Sequence, residues 1–364
     1  MSLEKFFYLD FQIVVLLTTL SLVVLSIIWL ERKFLGRLQR RVGPTRTGPF
    51  GLIQPIADAL KLVAKEDIIP TSSSKAIFWI APLAVFVPSF VIWITIPVAQ
   101  DLVVRNLELG LLFIIAFSVL SIVGIIMAGW ASSNKYALLG GLRAAAQLIS
   151  YEIPVIITVL AVAILAQSLS LVDIVDSQSG NPYILLQPLG LFIFFLAGLA
   201  EVGRTPFDIH FAESEIMGGP FIEYSGAHFA VFFLAEYINT IAIAALVVLL
   251  YLGGWSGPLL PPILWFLLKV YGIILIIFWF RGTFPRLRID QLMAFGWKLL
   301  IPLSFVNLIL TGFHMFYSWP LWIMPVVSIA LIAGVFIFIQ RYMQRPLAGL
   351  PLIHRENSPS LRRT

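Results

Sequence analysis

The chain has 364 residues, of which 60 % are hydrophobic and 12 % charged, with mean hydropathy +0.97. Such values exclude an ordinary soluble domain, and apolar runs that are continuous rather than alternating exclude a β-barrel, so the predicted fold class is an all-α polytopic membrane protein of about nine transmembrane helices. The net charge of +5 does not mark a nucleic-acid surface, because the cations lie between apolar runs, and the lack of cysteine excludes disulfides, thiolate metal sites and iron–sulfur clusters carried by this chain.

The first ten residues lack the basic start and small-residue cleavage site of a signal peptide, so the run that follows is expected to remain as a membrane helix. Phe11–Leu30 is uncharged and reads as helix 1. It ends in a basic segment containing Arg32, Lys33, Arg37, Arg40, Arg41 and Arg46, which by the positive-inside rule is cytoplasmic and leaves the amino terminus outside. Gly51–Lys65 is too short and too charged to span. Its apolar residues Leu52, Ile56, Leu60 and Val63 recur at helical spacing opposite Gln54, Asp58, Lys61 and Lys65, which predicts an amphipathic helix in the cytoplasmic interface. A re-entrant loop and the wall of a site for a membrane amphiphile both fit this pattern.

Helix 2 is expected over about Ala76–Gln100, kinked by Pro82, Pro88 and Pro97, and helix 3 over about Leu109–Ala131. Ser132–Gln147 reads as a loop carrying Lys135 and Arg143. Helix 4 is expected to start near Tyr151–Glu152, where Pro154 suits a first turn and the helix dipole favours the Glu152 carboxylate. Helix 5 is expected over about Tyr183–Ala200, helix 6 over His228–Tyr251 with Glu236 inside it, and helix 7 over Pro262–Phe280 with Lys269 inside it. Arg281, Arg286 and Arg288 form a second basic connection. The uncharged run from Leu299 to Gln340 is long enough for two helices broken near Tyr317–Pro320, and residues 341–364 form a basic tail. Residues 1–340 therefore read as one membrane domain with the tail inside. In this topology 21 of the 24 cations fall on the cytoplasmic side. His228 and His314 fall near opposite faces, so they do not make a haem site.

One connection breaks the charge rule. Glu201–Ala227 carries Glu201, Asp208, Glu213, Glu215 and Glu223 against Arg204 alone, a net charge of minus four. Ionisable groups at membrane depth cost about 2.5–3.5 kcal/mol each, so such a set usually faces partners or water and marks an ion path. With Glu152, Glu236 and Lys269 these residues form a candidate proton track. A bland alternative pairs Glu236 with Lys269 to pin helices 6 and 7. His210 is a candidate relay, and Gly218–Gly219–Pro220 predicts a bend. Read from the residues alone, a proton- or sodium-coupled transporter, a docking subunit and a coupling subunit all remain open.

Four blocks are more specific. Glu31–Lys65, Gly129–Pro154, Leu199–Tyr237 (LAEVGRTPFD, AESE, EYSG, FFLAEY) and Arg281–Lys298 resemble, in order, the NuoH family, the quinone-chamber membrane subunit of respiratory complex I, the NADH:quinone oxidoreductase. Membrane-bound hydrogenases and related dehydrogenases carry a homologous subunit. The resemblance implies a subunit that forms the membrane end of the quinone chamber and couples quinone reduction to proton pumping. It implies quinone as substrate, and no flavin, haem or iron–sulfur cluster on this chain. The implied partners are the peripheral quinone-site and iron–sulfur subunits, the membrane-arm subunits and the lipid of an energy-transducing membrane, most often the bacterial inner membrane. Arg32, Arg41, Arg46, Asp58, Lys61 and Arg204 would line the quinone route. Glu201, Asp208, Glu213, Glu215 and Glu223 would carry the coupling signal, and Tyr151, Glu152, Glu236, Tyr237 and Lys269 would continue it. This chain departs from the family pattern at His210–Phe211, where an acid is usual, and at Pro220–Phe221.

Overall fold

A computed structural model describes residues 3–100, 102–209, 217–317, 319–320 and 322–344. The expected Glu213, Glu215, His210 and Phe211 sites, and the tail from residue 345, lie outside the described residues. The described residues are mostly helical, joined by turns and extended connections. In chain order the helices are α1 (Leu3–Leu38), α2 (Gln54–Ala64), α3 (Lys75–Val91), α4 (Gly110–Ala131), α5 (Lys135–Ala166), α6 (Leu171–Ser177), α7 (Tyr183–Leu186) and α8 (Pro188–Val202). They are followed by α9 (Gly226–Tyr251), α10 (Pro262–Thr283), α11 (Ile289–Phe295), α12 (Ile301–Tyr317) and α13 (Ile323–Gln344).

Among the described residues, seven helical stretches are long and apolar enough to cross a membrane, and two shorter apolar helices stand where the fifth and ninth spans were expected. The fifth differs most. Its 15 residues begin only at Pro188, after the chain breaks at Gln187, and reach roughly 22 Å against a hydrocarbon core of about 30 Å. One end of α8 therefore starts within the bundle. The third helix gives way to a 3₁₀ turn at Ile92–Ile94, so Pro97 lies outside it and only Pro82 and Pro88 are helical.

The largest correction concerns α5. From Lys135 onward the expected loop Ser132–Gln147 is helix, and the span runs for 32 residues with Pro154 and Glu152 in its interior. Asn134 caps the start, its side-chain oxygen accepting from the Tyr136 amide at 2.9 Å. The buried face that follows is small: Ala137, Gly140, Gly141, Ala144 and Ala145. Small residues let neighbouring backbones approach closely in a membrane bundle. A β-carbon on Gly140 would stand 2.5 Å from the Cα of Gly219, so this glycine is where the bend after the acidic stretch lands on α5. Glu152 therefore owes nothing to a helix N-terminus, and the benign account of its charge disappears.

Two helices form the centre. In the most apolar window of α9, 78 % of residues are buried, and 67 % in α5, against 22 % for α1. Peripheral helices turn large apolar side chains outward, among them Phe11, Val14 and Leu22 of α1 and Leu112, Val119 and Val123 of α4, as lipid contact requires. The chain reversals are stitched by backbone hydrogen bonds. Ser74 N donates to Ala131 O at 3.2 Å at the Arg-rich end, and Leu111 N donates to Leu169 O at 3.0 Å at the opposite end. The amphipathic helix forms as expected over Gln54–Ala64, with Leu52, Ile56, Leu60 and Val63 all exposed.

Candidate functional site

The charged residues gather where α1, α8, α9 and α10 meet. Arg204 follows the end of α8 and its side chain is only 5 % exposed. Its Nη2 lies 3.2 Å from Glu236 Oε1, its Nη1 lies 3.7 Å from Glu31 Oε1, and its guanidinium sits 4.5 Å from the centre of the Tyr237 ring. Glu31 is 4 % exposed and also accepts from Tyr237 Oη at 2.6 Å and from Arg281 Nη1. Two carboxylates and two guanidiniums thus form a locally neutral quartet braced by a phenol. Burial alone would lower the Arg204 pKa; Glu236, Tyr237 and Asp208 more than reverse it, so the group stays charged.

Two cavities flank this quartet. The larger, about 490 Å³, is lined by Arg204, Asp208, Tyr224, Phe229, Phe233, Tyr237 and Arg281 among others. Its wall joins aromatic faces to charged groups, the mixture suited to a flat apolar ring bearing polar oxygens. The smaller, about 100 Å³, is lined by Glu152, Glu201, Ser118, Ser121 and Asn239 within a mostly aliphatic wall, and has room for several waters. Glu236 and Phe221 line both cavities. Ser118 Oγ donates to Glu152 Oε1 at 3.2 Å, whereas Glu201 Oε2 is buried with no hydrogen-bond partner among the described residues. An unpartnered carboxylate oxygen on a water-sized cavity is a natural proton acceptor.

Of the sequence-predicted coupling residues, the structure therefore brings Glu152, Glu201 and Glu236 to one cavity. Asp208 lines the larger one and pairs with Arg286 at 3.1 Å. Glu223 lies to one side and accepts from Asn134 Nδ2 at 2.6 Å. Lys269 is elsewhere: its ammonium donates to the carbonyls of Leu252, Gly254 and Ser256 at 2.7, 2.9 and 2.8 Å, closing the turn beyond α9. No Glu236–Lys269 pair forms; Arg204 takes that carboxylate. Tyr151 is buried and donates to Leu292 O at 2.9 Å, which fastens α5 to α11.

Of the residues expected on the quinone route, Arg204 lies on the larger cavity. Arg32 and Asp58 are paired, with Gln54 Nε2 donating to Asp58 Oδ1 at 3.1 Å, which ties α2 to the end of α1. Arg32, Arg41 and Arg46 line a separate open hollow of about 420 Å³, and Lys61 is exposed on α2.

Sequence reasoning missed Glu31 and Arg281 as functional groups, treating them as flanks of basic segments. Their signal was position: each sits at the end of an apolar run, within reach of the interior. Gln147 was also missed. Its Nε2 donates to the carbonyls of Ala200 and Phe207, both at 2.7 Å, and so holds the turn that presents Arg204.

Residues 11–312 match the family described as NADH dehydrogenase. The chain is 54 % identical over 291 residues to the NADH-quinone oxidoreductase H subunit of Dehalococcoides mccartyi, covering 80 % of this chain and 82 % of that protein. It is 48 % identical to the NADH-quinone oxidoreductase H 2 subunit of Syntrophobacter fumaroxidans, covering 87 % and 97 %, and 49 % identical to the H subunit of Geobacillus kaustophilus, covering 78 % and 86 %.

Proposed function

The chain belongs to the NADH dehydrogenase family and to its H-subunit branch, and from that premise we propose that it forms the membrane end of a quinone site and passes the charge of quinone reduction to a buried proton track. It is a multi-pass membrane subunit of an NADH:quinone oxidoreductase and associates with the other subunits of that complex. Its Arg-rich end faces the cytoplasm, where the peripheral iron–sulfur subunits supply electrons, and the bacterial relatives favour an inner membrane. Residues 1–340 act as one membrane domain, and residues 341–364 are a cytoplasmic tail.

The observation that carries the reading is that Glu236 lines both cavities. Quinone takes up two electrons and two protons to become quinol. The cavity of about 490 Å³ is of a size to admit the ring. Tyr237 and Arg204 hold the local charge in place through Glu31 and Glu236. When reduction places negative charge in the larger cavity, Arg204 is drawn towards it and its hold on Glu236 weakens. Glu236 then favours its protonated form and takes a proton from the water-sized cavity shared with Glu201 and Glu152. Glu213 and Glu215, in the intervening stretch, supply further carboxylates to the same route. Arg32, Arg41, Arg46, Asp58 and Lys61 form the access side, where α2 presents an apolar face to the bilayer.

Glu236→Gln in the intact complex tests this. Proton pumping per quinone reduced should fall at least tenfold, while NADH oxidation by an artificial acceptor upstream stays within twofold. Normal pumping in that variant would remove Glu236 from the coupling route.

A further inference from the structure

A second buried polar group lies at the end of the bundle remote from Arg204. Gln187 breaks the chain between α7 and α8, Asn307 and Thr311 stand one turn apart on α12, and Tyr251 ends α9; all four are essentially inaccessible. Gln187 Nε2 donates to Thr311 Oγ1 at 2.5 Å, and Thr311 donates to the Asn307 carbonyl at 2.8 Å. These bonds leave Gln187 Oε1 and both amide atoms of Asn307 buried with no hydrogen-bond partner among the described residues. Tyr251 Oη is buried beside Thr158 of α5, whose own proton goes to the carbonyls of Pro154 and Val155, so only a lone pair of Thr158 faces the Tyr251 hydroxyl and that hydroxyl keeps bonding capacity to spare.

Three of these atoms converge on one point. A β-carbon built on Gly190 would stand 3.2 Å from Asn307 Nδ2, 3.3 Å from Gln187 Oε1 and 3.3 Å from Tyr251 Oη. Glycine is what keeps that point clear of side-chain atoms. Because α8 begins at Pro188, the amide end of that helix is delivered to the same place.

The donor set names the ligand. It offers a carbonyl acceptor, an amide donor and a hydroxyl that can do either, and a water molecule complements all three. No carboxylate is among them, so a cation here would bring charge without a counter-ion into the apolar interior. Native interiors satisfy almost every buried polar atom, with ordered water where protein cannot.

We propose that Gln187, Asn307 and Tyr251 hold a buried water seated against Gly190, which joins α8, α9 and α12 where α8 is too short to reach the far side. One aromatic side chain separates it from the carboxylate cavity: Phe194 lines that cavity, and its ring centre lies 5.9 Å from that of Tyr251.

High-resolution maps of the intact complex test this, with wild type compared to Gly190→Ala. The expected result is a wild-type peak at hydrogen-bonding distance, about 2.6–3.2 Å, from the three atoms, lost in Gly190→Ala, with a lower melting temperature for the variant complex. Should Gly190→Ala not assemble, Asn307→Leu removes two of the unpartnered atoms and should also lose the peak. The proposal is overturned by a wild-type map that shows other buried waters but none here, or by a peak that survives either substitution. A peak ringed by five or six oxygens at about 2.4 Å, the signature of a cation, also overturns it.

Discussion

Arg204 and Lys269 are both cations drawn into the bundle, and the structure handles them in opposite ways. Arg204 is held by two carboxylates and a phenol, partners whose charge or proton can change. Lys269 is held by three peptide carbonyls, whose charge cannot. Only the first arrangement can report an event at a neighbouring cavity, because moving one proton or one charge there alters the balance of the whole quartet. The second is a clamp on the end of α9. Two residues equally conspicuous in an apolar sequence are thus separated by the chemistry of what surrounds them.

The contrast can be broken by experiment. Arg204→Met strands the largely buried Glu236 carboxylate and leaves Glu31 to Arg281 and Tyr237 alone, and should destabilise the protein by about 3 kcal/mol, read as loss of assembled complex and of quinone reductase activity. Full assembly would mean that the carboxylates are protonated at rest and the quartet is not ionic. Tyr237→Phe removes one charge-assisted hydrogen bond to Glu31 and should cost about 1.5–3 kcal/mol. Its complex should assemble, melt lower and pump fewer protons per quinone. Lys269→Met should lower the melting temperature by an amount equivalent to on the order of 1 kcal/mol while leaving the pumping ratio unchanged; a changed ratio would return Lys269 to the proton track. Smallest is Arg286→Gln. Arg286 is half exposed where it meets Asp208, and such pairs contribute about 0–1 kcal/mol, so a thermal melt should scarcely move.

Much of this was legible in residue order. Hydropathy located the apolar runs, since a helix that must lie in lipid can carry almost no charge, and α4, α9 and α10 begin and end within three residues of expectation. The amphipathic helix was legible for the same reason, its two faces being chemically distinct along Leu52–Lys65. The start of α5 was not. The Gly140–Gly141 pair disfavours helix and offsets the helical preference of Ala137 and Ala144, and the segment becomes helical because a small face can lie against α4 and the bend at Gly219. Pro154 misled because a proline suits a first turn, yet α5 accommodates it mid-helix, as bundles with neighbouring partners allow.

The candidate site divides similarly. Glu152, Glu201 and Glu236 stood out as expensive charges in apolar surroundings, and they do share one cavity. Glu31 and Arg281 did not stand out, because each closes an apolar run beside other charges and so reads as a membrane-face residue.

By itself the sequence determined that the chain is an all-α membrane protein, where its apolar runs lie, and that its acidic stretch departs from the charge rule, because each follows from the cost of placing charge in hydrocarbon. Only the tertiary structure decided that Arg204, not Lys269, meets Glu236, that Glu236 joins two cavities, and that Gln187, Asn307 and Tyr251 converge at Gly190. The physical reason is that pairing depends on angle and depth between helices far apart in sequence, which hydropathy does not encode.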